Sequence, residues 1–269
     1  MSQLTLNNQT VPFKEFYGRN NEQMPKLIEE GRIPLSVANL MQQKLENLSS
    51  SEALKTSWWN NYFDTGDGIF YNPNGDFKIV LGAQPIRDMN SESKLSSGAL
   101  VLGENKEESI KIYNSLDGVE FKRKDLNNLL GKTLSKSAVK SHPVWNALVP
   151  DKSLFNEYVD ATFSEGKERF GYDNMMGIWI SSPQDKVVGR LWCVGNLYDY
   201  SNANGGDGIY SYNGRLVGVA PEALGTGGAD ASKNRNLEGK IMKTDAPEIS
   251  INDTTYLKQG KLYLPMLSK

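Results

Sequence analysis

A single histidine and a single cysteine limit the side-chain chemistry open to this chain. A zinc site built from nitrogen and sulfur ligands is excluded, because it needs several such groups. Cys193 and His142 form the only nucleophile–base pair of that type. Cys193, however, lies in Leu191-Trp192-Cys193-Val194, an apolar strand pattern in which a thiol is usually inert filling. His142 precedes Pro143, which biases its backbone towards extended geometry. No metal and no cofactor are expected.

Glu120-Phe121-Lys122 carries a different chemistry. A carboxylate and a lysine two apart on a strand point to the same side. With a further acid, for which Asp88 and Asp117 are the candidates, such a pair holds Mg²⁺ and helps water attack a phosphate, as in restriction-type nucleases. Lys122, Arg123, Lys124, Lys132, Lys136 and Lys140 would suit a phosphate backbone. The same run reads as a solvated face around a helix, and Glu-x-Lys as an exposed cross-strand ion pair. A metal-dependent nuclease using Glu120 and Lys122 is therefore the alternative function, and nucleic acid is not the favoured partner.

The most distinctive feature is a repeated segment. Gly66-Asp67-Gly68-Ile69-Phe70 and Gly206-Asp207-Gly208-Ile209-Tyr210 each follow an aromatic and an Asp, and each leads into Asn-Gly and an apolar strand. The spacing predicts two similar hairpins, the second formed by Gly208–Tyr212 and Arg215–Ala220. Trp59 and Trp192 stand shortly before them. Flat rings beside carboxylates and amides suit a small molecule or a peptide. Trp59, Asp64, Asp67, Trp192, Asp199 and Asp207 are thus the expected ligand-binding residues. Calcium is not expected: in an EF-hand register from Asp199, Ala203, Asn204 and Tyr210 fall at the fifth, sixth and twelfth positions, where the motif fails. Thr65-Gly66-Asp67 resembles the Thr-Gly-Asp segment of acyl-adenylating enzymes, but no Ser/Thr/Gly-rich phosphate loop accompanies it, so that activity is not implied. Gly131-Lys132-Thr133 lacks the earlier glycine of a phosphate loop, and Gly225-Thr226-Gly227-Gly228 has Asp230 where a dinucleotide fingerprint needs glycine.

The elements that must position these residues follow from periodicity and punctuation. Asn21–Glu30 reads as a helix closed by Gly31, and Ser36 caps a second helix whose apolar face is Val37, Leu40, Met41, Leu45 and Leu48. A third ends near Trp58-Trp59. From Asp64 the texture turns to strands, with a tight turn at Pro73-Asn74-Gly75. Asp125–Leu130, Pro143–Leu148 and above all Ser153–Phe163 form a central helical block. Strands return at Gly177–Ser181 and Val187–Val194, with Ile249–Ile251 and Lys261–Pro265 closing the chain. Residues 224–240 read as a polar, Gly-rich loop. Elements grouped in blocks favour an α+β fold with N-terminal helices and a mostly antiparallel or mixed sheet. Residues 1–60 are expected to pack as a helical segment on one α+β body, 61–269.

A formal charge of −2 does not suggest a strongly basic partner surface, and an aromatic share of 10% argues for a packed core. One cysteine permits no internal disulfide, which favours a cytoplasmic setting. The first residues have neither an early basic cluster nor an apolar core, so no signal peptide is expected, and no apolar run suits a membrane. The leading reading is a soluble binding or structural module whose aromatic and acidic loops contact a small molecule or protein.

Overall fold

A computed structural model describes residues 12–221, 248–251, 254–259 and 262–265. The chain divides into two units, residues 1–226 and 227–269. The first unit begins with β1 (Phe13–Tyr17), α1 (Asn20–Glu29), β2 (Ile33–Pro34), α2 (Val37–Glu46) and α3 (Glu52–Trp59). It continues through β3 (Phe63–Tyr71), β4 (Phe77–Val80), α4 (Gln84–Arg87), β5 (Leu95–Ser96), β6 (Ala99–Val101), α5 (Lys106–Ser115) and β7 (Val119–Phe121). A helical block follows, α6 (Arg123–Leu126), α7 (Lys136–Ser141), α8 (Pro143–Leu148) and α9 (Lys152–Phe170). It closes with β8 (Ile178–Trp179), β9 (Val188–Val194), β10 (Ala203–Asn204) and β11 (Arg215–Val219). In the second unit β12 (Glu248–Ile251), β13 (Thr254–Gln259) and β14 (Leu262–Pro265) form an antiparallel sheet. The loop expected at 224–240 lies outside the described residues. The fold is α+β, with N-terminal helices, a mixed sheet and a central helical block.

Caps set the helix limits. The Ser36 hydroxyl accepts from the Asn39 N–H at 3.0 Å, and Gly31, at φ 68°, closes α1 in the left-handed region. Asp151 accepts from the N–H groups of Ser153 and Leu154 to open α9. That helix runs past the expected Phe163 to Phe170 because Gly166 lets it pack closely: a Cβ there would lie 2.3 Å from the Met175 sulfur. The polar helix α5 carries no strong apolar stripe and was not expected. Its Asn105 cap accepts from the Glu108 N–H, and only Ser109 and Tyr113 are buried.

The sheet of the first unit runs β1-β11-β3-β9-β10-β8, with β2 on β11, β4 and β7 beyond β3, and β6 and β5 beyond β9. Strand β3 is its hub and is buried along its whole length. It meets β11 in parallel at Asp64, β4 antiparallel from Gly68, and β9 antiparallel along its other edge. Alternation divides the apolar residues between two cores. Ile69, Tyr71, Trp192, Val194 and Val217 join Trp58, Trp145 and Phe155 in the larger one. Phe70, Leu191 and Leu216 join Leu27, Ile86 and Tyr113 in the smaller. At about 1.5–3 kcal/mol per fully buried large side chain, these two faces supply the main driving force for the fold.

The expected second hairpin is not formed. Gly208–Tyr212 is a run of turns, and β11 pairs with β1, β2 and β3 instead of folding back on it. Its backbone finds partners outside any ladder: the Ile209 N–H donates to Gly98 O and its carbonyl accepts from the Asn20 N–H, both at 2.9 Å or less. The first Gly-Asp-Gly segment lies within β3, and the tight turn closes later, at Asn72–Asp76 around Gly75 with φ 96°. The two similar sequences therefore have different structures. Among the described residues, no helix is long and apolar enough to cross a membrane.

Candidate functional site

The register of four neighbouring strands assembles one rung of side chains. Asp64 of β3 stands opposite Cys193 of β9, Cys193 opposite Asn204 of β10, and Asn204 opposite Trp179 of β8. Residues opposed in register share a face of the sheet. This face carries Leu191 and Leu216, so the rung begins where the smaller core stops. All four side chains line a cleft of about 560 Å³. Its walls are the 195–202 segment, with Asn196, Asp199 and Asn202, and the 207–214 segment, with Asp207, Ser211 and Asn213, beside Tyr62.

The walls owe their shape to side-chain amides that bond backbone groups in place of a ladder. Asn196 Oδ1 accepts from the Asp199 N–H at 2.6 Å, and Asn202 Oδ1 from the Gly177 N–H at 2.8 Å. Asn204 accepts from the Gly206 N–H and donates to Asp207 Oδ1, each at 2.8 Å. Tyr200 and Ser201 sit consecutively in the left-handed region, at φ 57° and 50°. Each such residue costs about 1–2 kcal/mol. The Met176 N–H bond to Tyr200 O and the Ser201 N–H bond to Asn196 O, both 2.8 Å, hold them there. The wall is fixed before any ligand arrives.

The cleft is acidic. Burial pushes the Asp64 carboxyl up to about 6, against the Arg215 N–H and the Asn20 amide, which favour its charge. Burial also raises Asp199 and Asp207, the latter opposed by Cys193, Arg190 and Asn204. Burial first, and then the charges of Asp64 and Asp207, hold the Cys193 thiol well above its ordinary value, so it is not a nucleophile. Lys44 of α2 is fully buried and donates to Gly195 O at 3.2 Å; burial lowers it to about 7.

Of the residues singled out by sequence, Asp64, Asp199 and Asp207 come together in this cleft. Trp59 does not: it is buried, stacked on Tyr158, and donates its indole N–H to Lys44 O at 2.7 Å. Trp192 is buried in the larger core. Asp67 is a buried residue of β3, its carboxylate accepting from the N–H groups of Val37 and Gly82. Glu120 and Lys122 are exposed on and just after β7. Glu120 accepts from the Tyr113 hydroxyl at 3.0 Å, while Lys78 opposite it turns away to Tyr113 O and Leu116 O, so the cross-strand ion pair is not made. Among the described residues no group of three or more His, Cys, Asp or Glu is placed to hold a metal ion. No metal-binding cluster among the described residues therefore supports the metal-dependent nuclease alternative.

Sequence reasoning missed Trp179, Asn196, Asn213 and Asn20. Trp179 had no signal, since Ile178-Trp179-Ile180 is an unbroken apolar run that marks no residue as outward-facing, and yet it is 42% exposed. Asn20 had none. It is 2% exposed, bonds Asp64 and packs against Gly214 on the cleft wall, contacts made only by the distant pairing of β1 with β11.

No family model matches the chain, and no curated protein matches it. Among solved structures it is similar to a chain from a study of how the C-type lectin fold accommodates massive sequence variation in Nanoarchaeota, at 20% identity and a TM-score of 0.57. The match covers 77% of this chain and 97% of that one. At this identity the likeness is one of fold.

Proposed function

We propose that this chain is a ligand- or partner-binding module on a C-type lectin-like fold, and that its recognition surface is the rung Asp64–Cys193–Asn204–Trp179 with the loops around it. The observation that carries this reading is the convergence of three carboxylates, several amides and an exposed indole on one preformed cleft of about 560 Å³. That volume falls within the range of small-molecule sites, and convergent polar groups on a fixed frame are what such sites present. Tyr198 and Tyr212, each 71% exposed, and Tyr210, 52% exposed, belong to the same two chain segments as its walls. Large aromatic rings left in water are the usual anchors of an interface. In the nanoarchaeal case the fold accommodates massive sequence variation. Here each wall is anchored to a core by one buried residue, Leu197 or Ile209, and turns polar side chains to the cleft, which suits a surface for recognition. A buried, free cysteine fits an intracellular setting.

A thermal-shift screen of the whole chain against sugars, nucleotides, short peptides, oligonucleotides and divalent ions tests the reading. A binder at a hundred times its Kd raises stability by about 2.7 kcal/mol. Trp179→Ala removes an exposed ring and is expected to change the melting behaviour by no more than about 0.5 kcal/mol. The shift given by the binder is expected to disappear in that variant. A shift that survives Trp179→Ala intact places recognition elsewhere.

A further inference from the structure

We propose that the outer edge of β7 is where two copies of this chain pair, through a two-fold antiparallel junction centred on Phe121. Glu120, Phe121 and Lys122 take no part in the cleft, and they supply both the edge and its charge pattern.

Among the described residues β7 pairs with β4 alone. Which of its backbone groups stay free follows from the hairpin of β3 and β4. The Asn72 N–H donates to Asp76 O at 2.9 Å, and hydrogen-bonded pairs alternate with non-hydrogen-bonded pairs along an antiparallel ladder. Lys78 therefore turns its N–H and C=O to Phe70 of β3, whereas Phe77 and Ile79 turn theirs to Phe121 and Val119. Glu120, and Lys122 beyond it, point theirs away from the sheet. Lys122 is still extended, at φ −84° and ψ 116°, and its carbonyl accepts from the Asp125 N–H with one lone pair to spare. Residues 117–120 and Lys122 are exposed. An open edge of this kind is a template for another strand.

Charge decides which strand fits. Across a two-fold axis outward backbone groups must meet outward ones, so the axis falls on a residue and not between two. An axis at Glu120 or at Lys122 opposes like charges, which repel, and one at Val119 sets Glu120 against Gly118. An axis at Phe121 sets Glu120 of each copy opposite Lys122 of the other. That register makes four backbone hydrogen bonds and two ion pairs. It also brings the two Phe121 rings together beside the Phe77–Phe121 stacks, whose centroids lie 5.5 Å apart. Glu120 Oε1 accepts from the Tyr113 hydroxyl, and Oε2 remains for Lys122 of the second copy. Helix α6 starts at Arg123 and ends the ladder, so the junction is short and the dimer weak.

Sedimentation of the whole chain from about 5 µM to about 500 µM is expected to show a concentration-dependent monomer–dimer equilibrium. Glu120→Lys and Lys122→Glu each turn both ion pairs into like-charge pairs, and each is expected to weaken the dimer about tenfold. Combining the two exchanges is expected to restore it. The Glu120 amide, open to water in the monomer, is expected to slow in hydrogen exchange as the dimer forms. A chain that stays monomeric throughout overturns the proposal. So does a dimer that ignores Lys122→Glu, or one that the double exchange fails to restore, because the contact then lies elsewhere or in another register.

Discussion

Replacing Asp67 by alanine is expected to lower the unfolding free energy by about 3 kcal/mol, read as a shift in the urea midpoint at constant slope. Its Oδ2 accepts from the Val37 N–H at 2.7 Å and its Oδ1 from the Gly82 N–H at 2.8 Å. Val37 is the first residue of α2, so the carboxylate sits at a helix N-terminus, where negative charge is favoured. Three pieces of the chain, β3, α2 and the turn after β4, are tied through one side chain. Alanine leaves two N–H groups without their acceptor in a site that water reaches poorly, and each costs about 1–3 kcal/mol. Burial nevertheless pushes this carboxyl up to about 6, above the value of about 3.9 for an unfolded Asp. The folded state therefore holds the proton more tightly, and the Asp67 contribution is greatest below pH about 4 and declines as pH rises towards about 6. The advantage of the native chain over Asp67→Ala is expected to shrink across that window and then level off. An advantage that grows across it would show that the carboxylate is net stabilised by its two donors.

Gly214→Ala is expected to be as damaging and to act on the cleft as well. A Cβ at this position would stand 2.3 Å from Gly18 O and 2.6 Å from Asn20 Oδ1. The first contact is with backbone that also accepts no easy shift, because the Gly18 N–H donates to Gly214 O at 2.9 Å. Relief requires β1 and the 207–214 wall to separate, with a cost of about 3 kcal/mol or more. Asn20 bonds Asp64, so the same displacement disturbs the floor of the cleft. A melting temperature lowered by several degrees, together with shifted Asp64 and Trp179 signals, is the expected result. A variant that melts like the native chain would show that β1 is free to move.

These two residues also show how much of the molecule could be read from its sequence. Both stand in Gly-rich motifs that signal turns, and the turn around Gly75 was legible for that reason. Asp67 and Gly214 serve another purpose, close approach between segments far apart in the chain, which local chemistry does not report. The helices with real caps, at Ser36 and Asp151, declared themselves, as did buried β9 and the second half of β3, from Gly68. Polar α5 and two-residue β10 did not, since their partners rather than their periodicity define them. The candidate site was half visible. Asp64, Asp199 and Asp207 were marked by their setting among glycines and aromatics, whereas Trp59 and Trp192 carried the same mark and went to the core. What separates the two groups is register: one rung across four strands, two of them only two residues long.

The most direct test is therefore a structure of the chain bound to whichever member of the screening panel stabilises it most. The ligand is expected in contact with Asp64, Asn204 and Trp179, between the 195–202 and 207–214 walls. A ligand found anywhere else on the molecule, with that cleft empty, would contradict the account.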